Sequence, residues 1–526
     1  MKPLIRNLTR RDVLCQSAAL TTMPLPGFLG DVEPVADRAA FRSGKNESRL
    51  FTLGVASGEP LPDSVMIWTR LAPDPLNNGG MPQKPVTLRW EVAVDDKMRD
   101  VVQRGKVTAQ PEFAHSVHVE VAGLKPHHWY WYRFDVGGKA SSVGRTRTAP
   151  ALGQQLDRFR FAFAACQNYQ AGYYTAYRHM AGEELDLVVH LGDYIYETKP
   201  KRWSRPRRHN SYEVDTLAEY RNRYALYKLD PDLQAAHAAF PWCVVPDDHE
   251  VDNDYANDKE EKHRMTPAAF RVRRAAAYRA YFEHMPFRTS QFPRGSDMQL
   301  YRSLPAGDLI DFHFLDTRQY RTDQQCGRRW EQRCEAAMDP RATILGTAQE
   351  KWLYARLNWV RAKWTVLAQQ VPMMERMREM DGDKFYNVDK WDGYVAARKR
   401  LLDVVKNSQK QGLVVLSGDV HAAWAGTLKA DFKDPKSRTL GTEFVGTSIS
   451  SSGDGWGMKK GHRRTLDANP HLEFYNGRRG YARCDVTPSV WRTDYRVLPY
   501  VTRPGAPIKT RASFTVARKQ PGLMRK

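Results

Sequence analysis

The sequence predicts an α/β protein in two parts, a small β-sandwich followed by a layered domain of alternating strands and helices. Three observations carry this. Residues 50 to 150 hold short strands with period-2 apolar alternation. From Phe159 onward, apolar strand candidates alternate with helical stretches. Those later strands end, one after another, on carboxylate, amide, thiol or imidazole side chains.

The chain divides into four segments. Residues 1–40 read as a leader. Lys2, Arg6, Arg10 and Arg11 precede the mildly apolar VLCQSAALTTMPLPGFLG, and TRRDVL (Thr9–Leu14) resembles a twin-arginine export signal. That export machinery is the expected partner, and a periplasmic or secreted location the expected destination. It carries folded proteins, which suits an enzyme that acquires metals before leaving the cytoplasm.

Residues 45–150 form the sandwich, of fibronectin- or immunoglobulin-like type. In VTLRWEVAV, Val86, Leu88, Trp90, Val92 and Val94 alternate with other residues, and Tyr130, Tyr132 and Phe134 repeat the pattern. The segments TRTAP and ALGQQLD read as a linker.

Residues 158–510 form the layered domain. Its strand candidates are FRFAFAAC, LDLVVHLGD, PWCVVPDD, LIDFHFLD, KWTVLAQQ, GLVVLSGD and EFVGTSIS. One helix starts at GTAQEKWLYARLNWV, where Thr347 and Glu350 have capping-box spacing and Leu353, Leu357 and Val360 share a face. GYARCDVTPSVWRTDYRVL reads as a hairpin. Residues 511–526 read as a basic tail.

The chain has 526 residues, 41% of them hydrophobic and 11% aromatic, enough for a large core. No apolar run reaches the ~20 residues needed to span a membrane. The net charge of +21 favours anionic partners such as phosphate esters, an acidic envelope polymer or nucleic acid. WSRPRRHN (Trp203–Asn210) and the segment after Thr510 contribute to it, but neither interleaves aromatics with base-reading groups, so specific nucleic-acid recognition is not expected.

Of the six cysteines, Cys15 falls in the leader and five remain, so at least one thiol lies outside any intramolecular pair. Cys326 and Cys334 flank the polar GRRWEQR and have the spacing of a small disulfide loop. Cys243 and Cys484 read as small buried hydrophobes. Cys166 closes the strand FAFAAC and is followed by Gln167 and Asn168.

Cys166 belongs with the other strand ends: Asp193 after VVHLG, Asp247–Glu250 after CVVP, Gln369 and Gln370 after TVLA, Asp419 and His421 after VVLSG. In open α/β sheets, ligands bind beyond the carboxyl ends of the strands. The donor types fit two metal ions. Cys166, Asp193, Tyr196 and His421 combine thiolate, phenolate and imidazole, which favours ferric iron. Asp193, Asp248, Gln369 and Asp419 supply only oxygens, which suits calcium, magnesium or manganese. Two close metals clamp the attacking and leaving oxygens of a phosphoryl displacement. His249 is the candidate acid or hydrogen-bond donor to the leaving oxygen, and Asn168 a candidate donor to a phosphate oxygen.

These stretches resemble the calcium-dependent, PhoD-type alkaline phosphatases, a metallophosphoesterase group related to purple acid phosphatases. The matching segments are FTLGVASGEP and VMIWTR, then AACQNY, HLGDYIYE, PDDHEVDND, FHFLDTRQYR, AQQVPM and SGDVHAAW. The resemblance implies a four-layer αββα catalytic domain, iron and calcium as cofactors, twin-arginine export, and hydrolysis of phosphate mono- and diesters. Relatives often carry Asn at the first position of the AQQ motif, so Gln370 competes with Gln369 as a ligand. RWSRPRRHN and the loop of Cys326 and Cys334 match no family motif.

Two other readings compete. One is a phospholipase D-like phosphodiesterase of the same fold. The other is a catalytically silent anion- or nucleic-acid-binding protein, whose site would have no need of a strand-end thiol.

Overall fold

The computed structural model describes residues 49–200, 206–359, 362–408 and 410–525. The leader, the TRRDVL segment and Cys15 lie outside the described residues, as do Trp203 and Val360. Among the described residues no helix is long and apolar enough to cross a membrane.

The front part contributes β1 (Val55–Gly58), β2 (Ser64–Arg70), β3 (Val86–Ala93), β4 (Val101–Ala109), β5 (Ser116–Ala122), β6 (Trp129–Val136), β7 (Lys139–Ala140) and β8 (Gly144–Arg147). β3, β4, β6, β7 and β8 form one antiparallel sheet, and β1, β2 and β5 lie in the other. The alternation read from the sequence points Leu88, Trp90, Val92, Tyr130, Tyr132 and Phe134 into the shared core. This sandwich is joined to the layered part through backbone pairing. β1 pairs in parallel with β11 (Pro241–Val244), Ser57 opposite Pro241 and Gly58 opposite Trp242, so one sandwich sheet continues into a sheet of the layered domain.

The remaining strands are β9 (Phe159–Ala164), β10 (Leu187–His190), β12 (Arg302–Ala306), β13 (Ile310–Phe314), β14 (Trp330–Gln332), β15 (Trp364–Ala368), β16 (Arg378–Met380), β17 (Asp383–Asn387), β18 (Leu413–Ser417), β19 (Ala423–Lys429), β20 (Thr439–Val445), β21 (Gly455–Trp456), β22 (Leu472–Val486), β23 (Val490–Leu498), β24 (Lys509–Ala517) and β25 (Gln520–Arg525). β11, β10 and β9 run parallel in one sheet. β13, β15, β18 and β20 run parallel in the second. The long β22 belongs to both: Leu472–Asn476 pairs with β19, and Ala482–Val486 pairs with β9.

Four layers result. Phe161, Phe163, Phe312, Trp364, Phe444 and Trp491 pack between the two sheets. Helices Thr175–Ala181, Leu217–Lys228, Pro231–Ala239 and Pro267–His284 contribute to the apolar core on one outer face. Helices Gly346–Trp359 and Val395–Ser408 cover the other. Strands buried on both faces read as continuous apolar runs rather than alternations.

Two local readings change. Thr347 does not cap helix Gly346–Trp359. The Gly346 amide donates to Thr343 Oγ1, and that hydroxyl donates to Glu350 at 2.6 Å, so the cap sits one turn earlier. Residues 511–525 are not a free basic tail. β24 pairs with β23, and β25 pairs with β24. Cys326 and Cys334 are disulfide-bonded, and their loop carries β14, which joins β17 and β16 in a small separate sheet. Of the unmatched insert, Arg207 bridges Asp230 at 2.5 Å and lies over Tyr169, and His209 contacts Tyr227. Both act as structural anchors.

Candidate metal centre

The strand ends converge as the sequence suggested. Ligand atoms of Cys166, Asp193 and His421 lie within 4.8 Å of one another, as do those of Asp193, Asp248 and His249, and those of Asp247, Asp248 and Asp419. Asp193 belongs to the first and second clusters and Asp248 to the second and third, so the three form one chain of donors.

Backbone geometry sets these positions. Cys166, Asp193, Asp419 and His421 all have positive φ, between 53° and 66°. Each left-handed non-glycine residue costs on the order of 1–3 kcal/mol and persists where the surroundings impose it. The turns are held by amide bonds: Cys166 donates to the Gly192 carbonyl and Gln167 to that of Asp193, each at 3.0 Å. Gly192 has φ 102°, and a Cβ there would meet the Asp247 amide at 2.4 Å, so no other residue fits. Glu250 clamps the loops after β10 and β11 by accepting from the amides of Asp193, Tyr194 and Asp247.

Tyr196 folds back from the turn, three residues after Asp193. Its hydroxyl is 2.7 Å from Asp193 Oδ2, 3.2 Å from His421 Nε2 and 2.7 Å from Ser451 Oγ. Asp193 Oδ1 is buried and has no partner. Such an orphaned carboxylate oxygen, inside a ring of thiol, phenol and imidazole, fits a cation ligand.

The electrostatics agree. Burial, and then the Asp193 carboxylate, push the Cys166 thiol well above its usual range. Tyr196 is raised by burial, Asp193 and Cys166, and Asp193 itself is raised chiefly by burial. These acids cannot all ionise together without a compensating positive charge. Burial and the Arg479 guanidinium lower His421 to about 3, which keeps the imidazole in the neutral form that binds metals.

His249 is held differently. Its Nδ1 lies 2.6 Å from Glu197 Oε2, and its ring lies against Tyr196 with centroids 4.1 Å apart. Burial opposes its charge, but Glu197, Asp193 and Asp248 outweigh that and raise it well above the ordinary histidine value. Asn168 starts a short 3₁₀ turn, its Oδ1 accepting the Gln170 amide at 3.0 Å.

Gln369 is buried and hydrogen-bonded through both side-chain atoms. Its Oε1 accepts from the Trp391 indole at 2.8 Å and its Nε2 donates to Ser417 at 3.1 Å. Gln370 Oε1 accepts from the amide and hydroxyl of Thr317. Asp247 stands with Asp248 and Asp419. Two cations also enter that region, neither of them marked by the sequence. Arg318 Nε contacts Asp247 at 2.6 Å and its Nη2 lies 3.4 Å from Asp248, while Lys390 Nζ bridges Asp389 at 2.7 Å and Asp419 at 2.6 Å. Arg318 lies in the motif FHFLDTRQYR, but nothing local marks its partners 71 residues away.

A two-sheet fold with this donor chain defines a metallophosphoesterase-like hydrolase. The sequence model of the PhoD-like phosphatase family matches residues 161–495, and that of the PhoD-like phosphatase N-terminal domain matches residues 36–150. The chain belongs to the PhoD-like phosphatase family, and it is a hydrolase of phosphoric esters. It is 52% identical over 477 residues to alkaline phosphatase D of Bacillus subtilis (strain 168), spanning 90% of this chain and 82% of that one. A solved structure titled "Structure of PhoD" superposes with a TM-score of 0.89 at 50% identity, covering 92% of this chain and 93% of that one.

Proposed function

We propose that this chain is an exported phosphatase and phosphodiesterase that works around a mixed iron–calcium centre. The observation that carries the metal assignment is the buried, partnerless Asp193 Oδ1 at the junction of two donor clusters. Cys166, Asp193, Tyr196 and His421 would hold a ferric ion, matching their anionic, strongly donating thiolate, phenolate and carboxylate. Asp193, Asp247, Asp248 and Asp419 would hold calcium, matching their hard oxygens. Bound there, the two ions supply Lewis-acid polarisation of the phosphoryl group and acidify a water.

The chain's own residues do the rest. Glu197 fixes His249 through Nδ1, which leaves Nε2 to serve the leaving-group oxygen as donor. The Asn168 side-chain amide nitrogen serves a phosphate oxygen. Arg318 and Lys390 offset the charge of the carboxylates around them. Export rests on Thr9–Leu14.

The test is elemental analysis of the purified protein alongside hydrolysis of 4-nitrophenyl phosphate and bis(4-nitrophenyl) phosphate. Iron and calcium with turnover of both esters are expected. Zinc at both positions, or no diester turnover, would refute the corresponding part.

A further inference from the structure

Beside the candidate centre lies a cationic surface that the proposed hydrolysis does not use. Arg376 follows the strand-end segment after β15 and is only 8% exposed. Among the described residues no carboxylate, carbonyl or hydroxyl accepts from its guanidinium, nor is it among the buried side chains sealed from solvent without a partner. It lies over two indoles, 5.2 Å from the Trp330 ring centre and 5.3 Å from that of Trp424, three residues beyond His421. Arg378 stacks on Trp330 at 3.6 Å and likewise has no anionic partner among the described residues. Lys459 lies 4.5 Å over Trp456, and Trp456 is bonded to Tyr475, whose ring packs against Trp424.

This arrangement is held rigidly. The amides of Met373 and Met374 donate to Glu443, that of Arg376 to Asp392, and that of Met377 to Asn469. The carboxylates near Arg376 are already engaged: Asp392 by Arg398 and Arg333, Glu443 by Ser417. A nearly buried guanidinium costs desolvation and is normally paired. Here two guanidinium groups without partners stand over indole faces, one of them that of Trp424 on β19, the strand that begins two residues after His421.

We propose that Arg376 and Arg378, on the Trp330–Trp424 platform, bind a second phosphate of the substrate, one unit from the phosphate being cleaved. The proposal rests on the phosphodiesterase reading and adds the substrate class to it: diesters that carry a further phosphate. Guanidinium forks pair with phosphate oxygens, and the indoles beneath them hold the two forks in place.

The test compares thymidine 5′-(4-nitrophenyl phosphate) with the same ester carrying a 3′-phosphate. The parent enzyme is expected to show a KM about tenfold lower for the 3′-phosphorylated ester, the difference of one well-made charge-assisted contact. Arg376→Met with Arg378→Met should bring that ratio to about one, and Lys at both positions should restore most of it, because charge returns without the fork. Arg378→Met alone, at a partly exposed position, should lower the ratio part way and guards against a folding defect. A parent enzyme without preference, or a double variant that keeps it, overturns the proposal. Hydrolysis of neither ester sinks the phosphodiesterase reading and this one with it.

Discussion

Glu197 and His249 form a buried pair, Oε2 to Nδ1 2.6 Å, in which the other Glu197 oxygen accepts the Asn253 amide at 3.1 Å. The carboxylate therefore fixes the imidazole from a site that is itself fixed by backbone. Glu197→Gln should lower kcat on diesters by about 10- to 100-fold with little change in KM, the scale of a misplaced general acid. His249→Asn should lower it at least as far. The double variant should fall no further than His249→Asn alone; additive losses in the steady-state cycle would separate the two residues.

Cys166→Ser should lose iron and nearly all turnover while keeping its circular dichroism, because Ser leaves the buried turn intact and removes the soft donor. A calcium-selective chelator should stop hydrolysis first, with iron retained, and added calcium should restore it. Asp248→Asn should resemble the chelated enzyme. Full activity with full iron content in Cys166→Ser would end the ligand assignment.

Lys228 is 2% exposed, its ammonium 4.3 Å over the Trp68 ring, and burial lowers it to about 7 from an ordinary 10.5. Between those values the unfolded chain binds a proton that the folded chain does not, so this group makes stability rise with pH across that window. Lys228→Met should be more stable than the parent at pH 7 by about 2–3 kcal/mol, once the cation–π contact is set against the desolvation. The gap should close by pH 10 to 10.5. Denaturant titrations at both pH values check it; an equal gap at both would mean Lys228 is not the titrating group.

Arg10→Lys together with Arg11→Lys should leave the protein in the cytoplasm, as read by fractionation. Undiminished export of that variant removes the twin-arginine reading.

Much of this architecture was legible because of how parallel sheets are buried. FAFAAC, LVVH, WCVV and LVVLS announce themselves as apolar runs, and the polar residues that stop them point to the site. Side-chain direction was less legible. Beyond the last paired residue of a strand, period-2 alternation no longer says which way a side chain turns, and the Gln369 amide oxygen meets the Trp391 indole. The basic residues around Thr510 hid a strand, because Phe514 and Val516 bury one face while Lys509 and Arg511 stay exposed on the other. Glu197 and Arg318 lie within readable motifs and Lys390 lies in none. Their roles depend on partners tens of residues away, which only the fold brings together.

β22 carries an implication for synthesis. It pairs with β9 near residue 160 through one end and with β19 through the other. Until Leu472–Val486 has left the ribosome, each half of the molecule displays an unpaired strand edge flanked by aromatic core, the kind of edge that recruits other chains. Both sheets therefore stay open until that one segment has emerged. Premature termination before Leu472 should yield aggregate rather than a smaller working enzyme.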